Sequence, residues 1–334
     1  MDSSSPSDLT TTLERARELA AARDWAALAE LARETPSEAL EQAPELGYLC
    51  ADALNRTGAT AAARTTAGAV EPAIRRAGDR RLLLRLENLL GVIAFEAGES
   101  AEAERHFSEL LENASRWQDD EFVARASNNL GVLANIRGRR DLALTYYERA
   151  LAAYQRLGHL RGLAQTHYNL GISYRDLGRS EEADAHYRQA IDFAGRSASE
   201  DVIALAETER AELRIRSGDG SLADRWLGKA QRRFEKLGDP VRRAEVLRVR
   251  ASAARLRGRI ETARKHLEEA FAVARSHSNL LLLAEVQRDR GMLFRDLRLE
   301  EEARLALLDA ADHFARLGAD DEARAARQAA GEQE

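Results

Sequence analysis

The chain of 334 residues has one cysteine, Cys50, five prolines and only 5% aromatic residues. A single cysteine rules out an internal disulfide and fits a reducing, cytoplasmic setting. No run approaches the roughly 18–20 apolar residues of a membrane span, so no membrane contact is expected. The start, Met1-Asp2-Ser3-Ser4-Ser5-Pro6, lacks the basic and apolar regions of a signal peptide. An excess of positive charge is also missing: 50 Lys and Arg stand against 56 Asp and Glu, a net charge of −6. Generic nucleic-acid binding is therefore not expected. Few prolines with abundant Ala, Leu, Glu and Arg favour helix, and an apolar share of 44% can build a core.

What the chain does have is a period. Glycine recurs every 40 residues at Gly58, Gly98, Gly138, Gly178, Gly218 and Gly258. Five residues later stands alanine, from Ala63 and Ala103 to Ala263 and Ala303. Seven before each glycine is a small residue, as at Gly91, Gly131, Gly171 and Ala211, and Gly291 continues the series. Nine after it is a mostly large apolar one, as at Phe107, Tyr147, Tyr187 and Leu267. Each unit reads as two helices. Segment 163–177 forms helix A, Gly178 ends it in the left-handed conformation, and Ser180 offers a cap to a helix B running to about Gly195. Asp239-Pro240 is another helix start. Gly171 and Ala183 should lie where the two helices cross, with Tyr187 filling the gap to the next pair.

Such a unit cannot bury its apolar face alone, so units stack. The expected fold is all-α: a right-handed superhelical solenoid of antiparallel helix pairs. Residues 1–8 read as disordered, 9–42 as a helical cap, 43–322 as seven 40-residue repeats and 323–334 as a capping helix.

The unit 123–162, with Asn128-Asn129-Leu130-Gly131, Gly138, Ala143, Tyr147 and Ala150, resembles the tetratricopeptide repeat family. The 40-residue length is similar to the longer variety of kinesin light chain and of bacterial peptide sensors. Departures are Arg210, Arg250 and Arg290 in place of Leu, and Arg298 in place of the turn glycine. The arginine stems read as buried along the helix with their heads turned outward.

The resemblance implies a protein-binding scaffold or adaptor whose helices A form a concave wall. The alternative is a regulator that responds to a small peptide. On that wall it places Asn88, Arg125, Asn128, Asn135, Tyr168, Arg175, Arg248, Arg255, Arg288 and Arg295, with Asn129 and Asn169 one step round the helix. Amides can donate and accept, and so can hold a peptide backbone of any sequence or tie neighbouring helices together. The stacked arginines suit an acidic partner, or pair with carboxylates of their own helices. Homo-oligomer assembly also stays open.

No enzyme, metal or cofactor is expected. His106, His186 and His266 share their repeat position with Tyr146 and Trp226, which marks a packing site. Gly218-Asp219-Gly220-Ser221 resembles a phosphate loop, but Gly218 already serves the turn and no strand precedes it. Cys50 reads as a buried small hydrophobe.

Overall fold

The computed structural model describes residues 6–218 and 220–332. Residues 1–5 of the expected disordered terminus, Asp219 of the rejected phosphate loop and the last two residues of the expected capping helix lie outside them. Among the described residues there are eighteen helices and no strand. The chain divides into two compact units, residues 1–126 and 127–334.

The first unit holds α1 (Pro6–Ala22), α2 (Trp25–Glu34), α3 (Ser37–Gln42), α4 (Pro44–Arg56), α5 (Thr60–Ala77), α6 (Arg80–Glu96), α7 (Ser100–Arg116) and the beginning of α8 (Asp120–Ile136). The second holds the rest of α8 and α9 (Arg140–Leu157), α10 (Leu160–Asp176), α11 (Ser180–Arg196), α12 (Glu200–Arg216) and α13 (Gly220–Leu237). It ends with α14 (Pro240–Leu256), α15 (Ile260–Ser276), α16 (Leu280–Asp296), α17 (Glu300–Arg316) and α18 (Asp320–Ala329). From α4 onward, helices of about four turns alternate as antiparallel A and B partners.

The 40-residue glycines do what their spacing predicts. Gly58, Gly98, Gly138, Gly178, Gly218 and Gly258 all sit at positive φ, between 71° and 83°, and end the A helices. Arg298, at the same repeat position, is forced to φ 59° despite its side chain. The two kinds of turn differ in their chemistry. Where B gives way to A, a side chain caps several of the new helices: Asp79 accepts from the amide of Leu82 at 3.0 Å, Asp239 from Arg242 at 2.9 Å and Asn279 from Leu282 at 2.9 Å, while Ser199 and Ala319 make no such bond. Where A gives way to B there is no such bond in α11, whose cap position is Arg179; Ser180 is its first helical residue, not its cap.

The small residues of helix A answer to the large ones of helix B. A Cβ on Gly91 would lie 2.4 Å from the Phe107 ring, on Gly131 2.5 Å from Tyr147, and on Gly171 2.3 Å from Tyr187. The aromatic ring is thus seated inside its own pair, against the glycine. Tyr187 also joins a buried cluster with Val202 and Ala206 of the next pair, and its hydroxyl donates to Glu209 on α12 at 3.4 Å. Ala103, Ala143, Ala183, Ala223 and Ala263 are wholly buried at the crossings. Arg210 lies over the Trp226 ring of its own pair at 4.5 Å, whereas Arg290 lies over the Phe271 ring of the preceding pair at 4.7 Å and Arg250 bonds Gln231 of the preceding pair.

Candidate binding groove

Successive A helices of the second unit touch one another, α10 with α12, α12 with α14 and α14 with α16. No comparable contact joins successive B helices among the described residues. Pairs that approach on one side and spread on the other curve toward the close side, so the A helices form the inner wall. Along it the position after each small residue is half-buried at Val132, Ile172, Ser252 and Met292, and buried at Glu212. A small cavity of about 30 Å³ opens beside Ser252, Arg255, Asp289 and Met292.

The polar side chains of this wall form a ladder with a 41-residue step. Asn128 accepts from Asn169 Nδ2 at 3.0 Å, and Asn135 donates to Asp176 at 3.5 Å while accepting from Ser173 at 2.9 Å. Further on, Arg248 donates to Asp289 at 3.1 Å and Arg255 to Asp296 at 2.8 Å. Each rung runs from one A helix to the next, so the asparagines do tie neighbouring helices together. Asn169 is buried and also accepts from Gln165 at 3.3 Å.

Arg248 is the hub of the wall. Its side chain is 7% exposed and meets Asp289, Glu285 at 3.4 Å and Glu212 at 3.5 Å. Arg175 pairs with Glu209 on α12 and with Asp176 at 2.8 Å. Burial opposes ionisation of Glu212, but Arg248, Arg175 and Arg216 outweigh it and hold that carboxyl well below the usual range. Burial raises Glu245, against the pull of Arg242 at 2.8 Å. Arg242 is 44% exposed, and the neighbouring Glu245 carboxylate raises its pKa above the usual guanidinium value.

The remaining candidates stand outside these rungs. Asn88 and Arg125 belong to the first unit, where Asn88 is half-buried and Arg125 is exposed and paired with Glu121 at 2.9 Å. Asn129 is half-buried, and Tyr168 is buried with its ring centre 6.1 Å from that of Tyr187. Arg288 meets Asp289 at 3.4 Å and stands 5.9 Å from the Phe314 ring centre, and Arg295 is exposed. The stacked arginines are thus largely neutralised by carboxylates, many of them from neighbouring A helices. Sequence reasoning looked for these carboxylates on the same helix, three residues away. It missed Glu209, Asp289 and Asp296; the signal for the last two was their 41-residue spacing from Arg248 and Arg255. It also missed a facing imidazole pair, His167 and His186, with Nδ1 atoms 3.0 Å apart.

Residues 122–195 match the tetratricopeptide repeat family model. That segment carries tetratricopeptide repeats. The chain's repeats have the fold of several solved structures of low sequence identity. A Rap protein complexed with competence and sporulation factor is 14% identical, with a TM-score of 0.64 over 96% of each chain. The Rap conjugation gene regulator of plasmid pLS20, in complex with the Phr* peptide, is also 14% identical; its TM-score is 0.64 over 87% of this chain and 77% of that one. Aspartyl phosphate phosphatase F from Bacillus subtilis is 13% identical, with a TM-score of 0.55 over 99% and 95%. At such identities the likeness carries the fold of these tetratricopeptide-repeat chains and no activity. No curated protein matches the sequence. No helix among the described residues is long and apolar enough to cross a membrane.

Proposed function

We propose that the inner wall of the second unit, from α8 to α16, binds an extended peptide or partner segment. The protein then acts as a non-enzymatic, peptide-responsive regulator or adaptor in the cytoplasm. The observation that supports this reading is the ladder of side chains running from each A helix to the next. Asn128, held through its oxygen by Asn169, keeps its Nδ2 oriented, so a peptide carbonyl meets a donor with little further loss of side-chain freedom. The fold shared with the peptide-bound conjugation regulator supports the same ligand class.

The ion pairs also refine the partner. Because Arg175, Arg248 and Arg255 already face carboxylates, positive charge is not what selects the ligand. Recognition falls to the amides and to the apolar positions Val132, Ile172 and Met292, with Arg288 and Arg295 as the more open cations.

Panning a phage-displayed random peptide library against the protein tests the proposal. A consensus should emerge from the wild type and vanish with Ile172→Arg plus Met292→Arg, which block the wall at half-exposed positions. Failure to enrich any consensus, or enrichment that survives the double variant, would refute it.

A further inference from the structure

The turn after α8 reads Arg137-Gly138-Arg139-Arg140, and no other A-to-B turn of the chain carries three arginines. At the repeat position of Arg140 the other turns have Thr60, Ser100, Ser180, Gly220, Ile260 and Glu300. Arginine in the first turn of a helix opposes the helix dipole, so this choice is locally unfavourable and calls for a reason elsewhere in the fold.

That reason lies 182 residues away. The first turn of α18 begins Asp320-Asp321-Glu322, and Arg140 donates to Glu322 at 2.7 Å and stands 3.6 Å from Asp321. The Arg140 side chain is only 18% exposed there, and it also donates to the Gly138 carbonyl at 3.2 Å. Gly138 itself leaves no room: a Cβ on it would lie 2.4 Å from a carboxylate oxygen of Asp321. Beside the charges, Ile136 packs against the cluster that holds Phe314, Ala319, Ala323 and Ala326. A basic turn, an acidic helix start, a glycine stripped of bulk and an apolar patch meet at one seam between the two ends of the second unit.

We infer that this seam is an electrostatic latch. It joins the end of the second unit back to its beginning and closes the slit through which the inner wall would otherwise be reached from the side. With the latch shut, the groove is entered along its length; with it open, an extended chain can enter sideways. The gating consequence rests on the groove reading, whereas the latch itself does not.

Both parts can be tested without a peptide. In a Cys50→Ser background, spin labels on Glu148→Cys in α9 and Gln328→Cys in α18 report the seam by electron–electron resonance. The intact protein should give one narrow distance distribution, which Arg140→Glu should lengthen and broaden. Arg140→Glu also places a favourable charge at the start of α9, so the loss is tertiary. The exchange Arg140→Glu with Glu322→Arg should restore the narrow distribution. Unchanged distances in the single variant, or no recovery in the exchanged one, would overturn the latch.

For gating, Ser252→Cys on the inner wall is labelled with N-ethylmaleimide or with a long polyethylene-glycol maleimide. Opening the latch should speed the bulky reagent roughly tenfold while leaving the small one unchanged. An equal ratio of rates with the latch open or shut would overturn gating. Neither readout uses a ligand, so a failed peptide selection bears on neither of them.

Discussion

Replacing Glu87 by glutamine removes a carboxylate that α6 buries completely. Asn113 donates to one of its oxygens at 2.9 Å, and the other has no partner. Burial, then the like charge of Glu109, push Glu87 up from 4.5 to about 7, against the Asn113 bond and Arg75. The unfolded chain releases this proton near pH 4.5 and the folded one near pH 7. Ionised Glu87 therefore costs nothing below pH 4.5, an increasing amount between the two values, and its full penalty above pH 7. At about 1.4 kcal/mol per tenfold the ceiling is roughly 3 kcal/mol, and relaxation of the surroundings brings it nearer to about 2. Glutamine keeps the shape and an acceptor for Asn113 without the charge. Hydrogen exchange of the α6 amides, followed from pH 4.5 to 8.5 in both proteins, reads the local opening free energy where a repeat array does not unfold as one unit. The variant should match the wild type at the acid end and exceed it by about 2 kcal/mol at the alkaline end. A gap that stays constant across the range would refute the buried-charge argument.

Arg298→Gly should raise the melting temperature, because it relieves a left-handed backbone that costs an L-residue roughly 1 kcal/mol; an unchanged or lower value would show that the arginine is held there without strain. Arg248→Leu should destabilise the second unit by about 3–5 kcal/mol in chemical denaturation, since Glu212, Glu285 and Asp289 lose their shared cation. Adding Glu212→Gln to it should recover part of that loss. Gly171→Ala drives a methyl group into the Tyr187 ring and should cost roughly 1–3 kcal/mol by the same measurement.

The 40-residue period carried most of the fold because it is made of local necessities. A positive φ demands glycine within the turn, and a helix crossing demands alanine or glycine at fixed steps from it. Even so, the B-to-A turns show how such a signal thins out. Gly78, Gly158, Gly238 and Gly318 alternate there with Gln118, Ala198 and Ser278, all at positive φ, so three of these seven turns are hidden behind ordinary side chains. The inner wall was legible as positions but not as partnerships. Asn128 and Arg248 stand where the repeat pattern puts them, yet what they hold is decided by the facing helix 41 residues on. The seam was illegible for the same reason in stronger form. Nothing near Arg140 announces Glu322, and only its misfit at a helix start marks it as a residue answering to something distant.

The rungs between A helices also make the repeats individual. Excising residues 163–202 would leave every turn and crossing in step, because the period survives the cut. Yet Asn128 would then face Glu209 where Asn169 had stood, and Asn135 would face Arg216 where Asp176 had stood. A stack that looks modular by its backbone is, along its inside edge, a keyed sequence in which each piece recognises only its own successor.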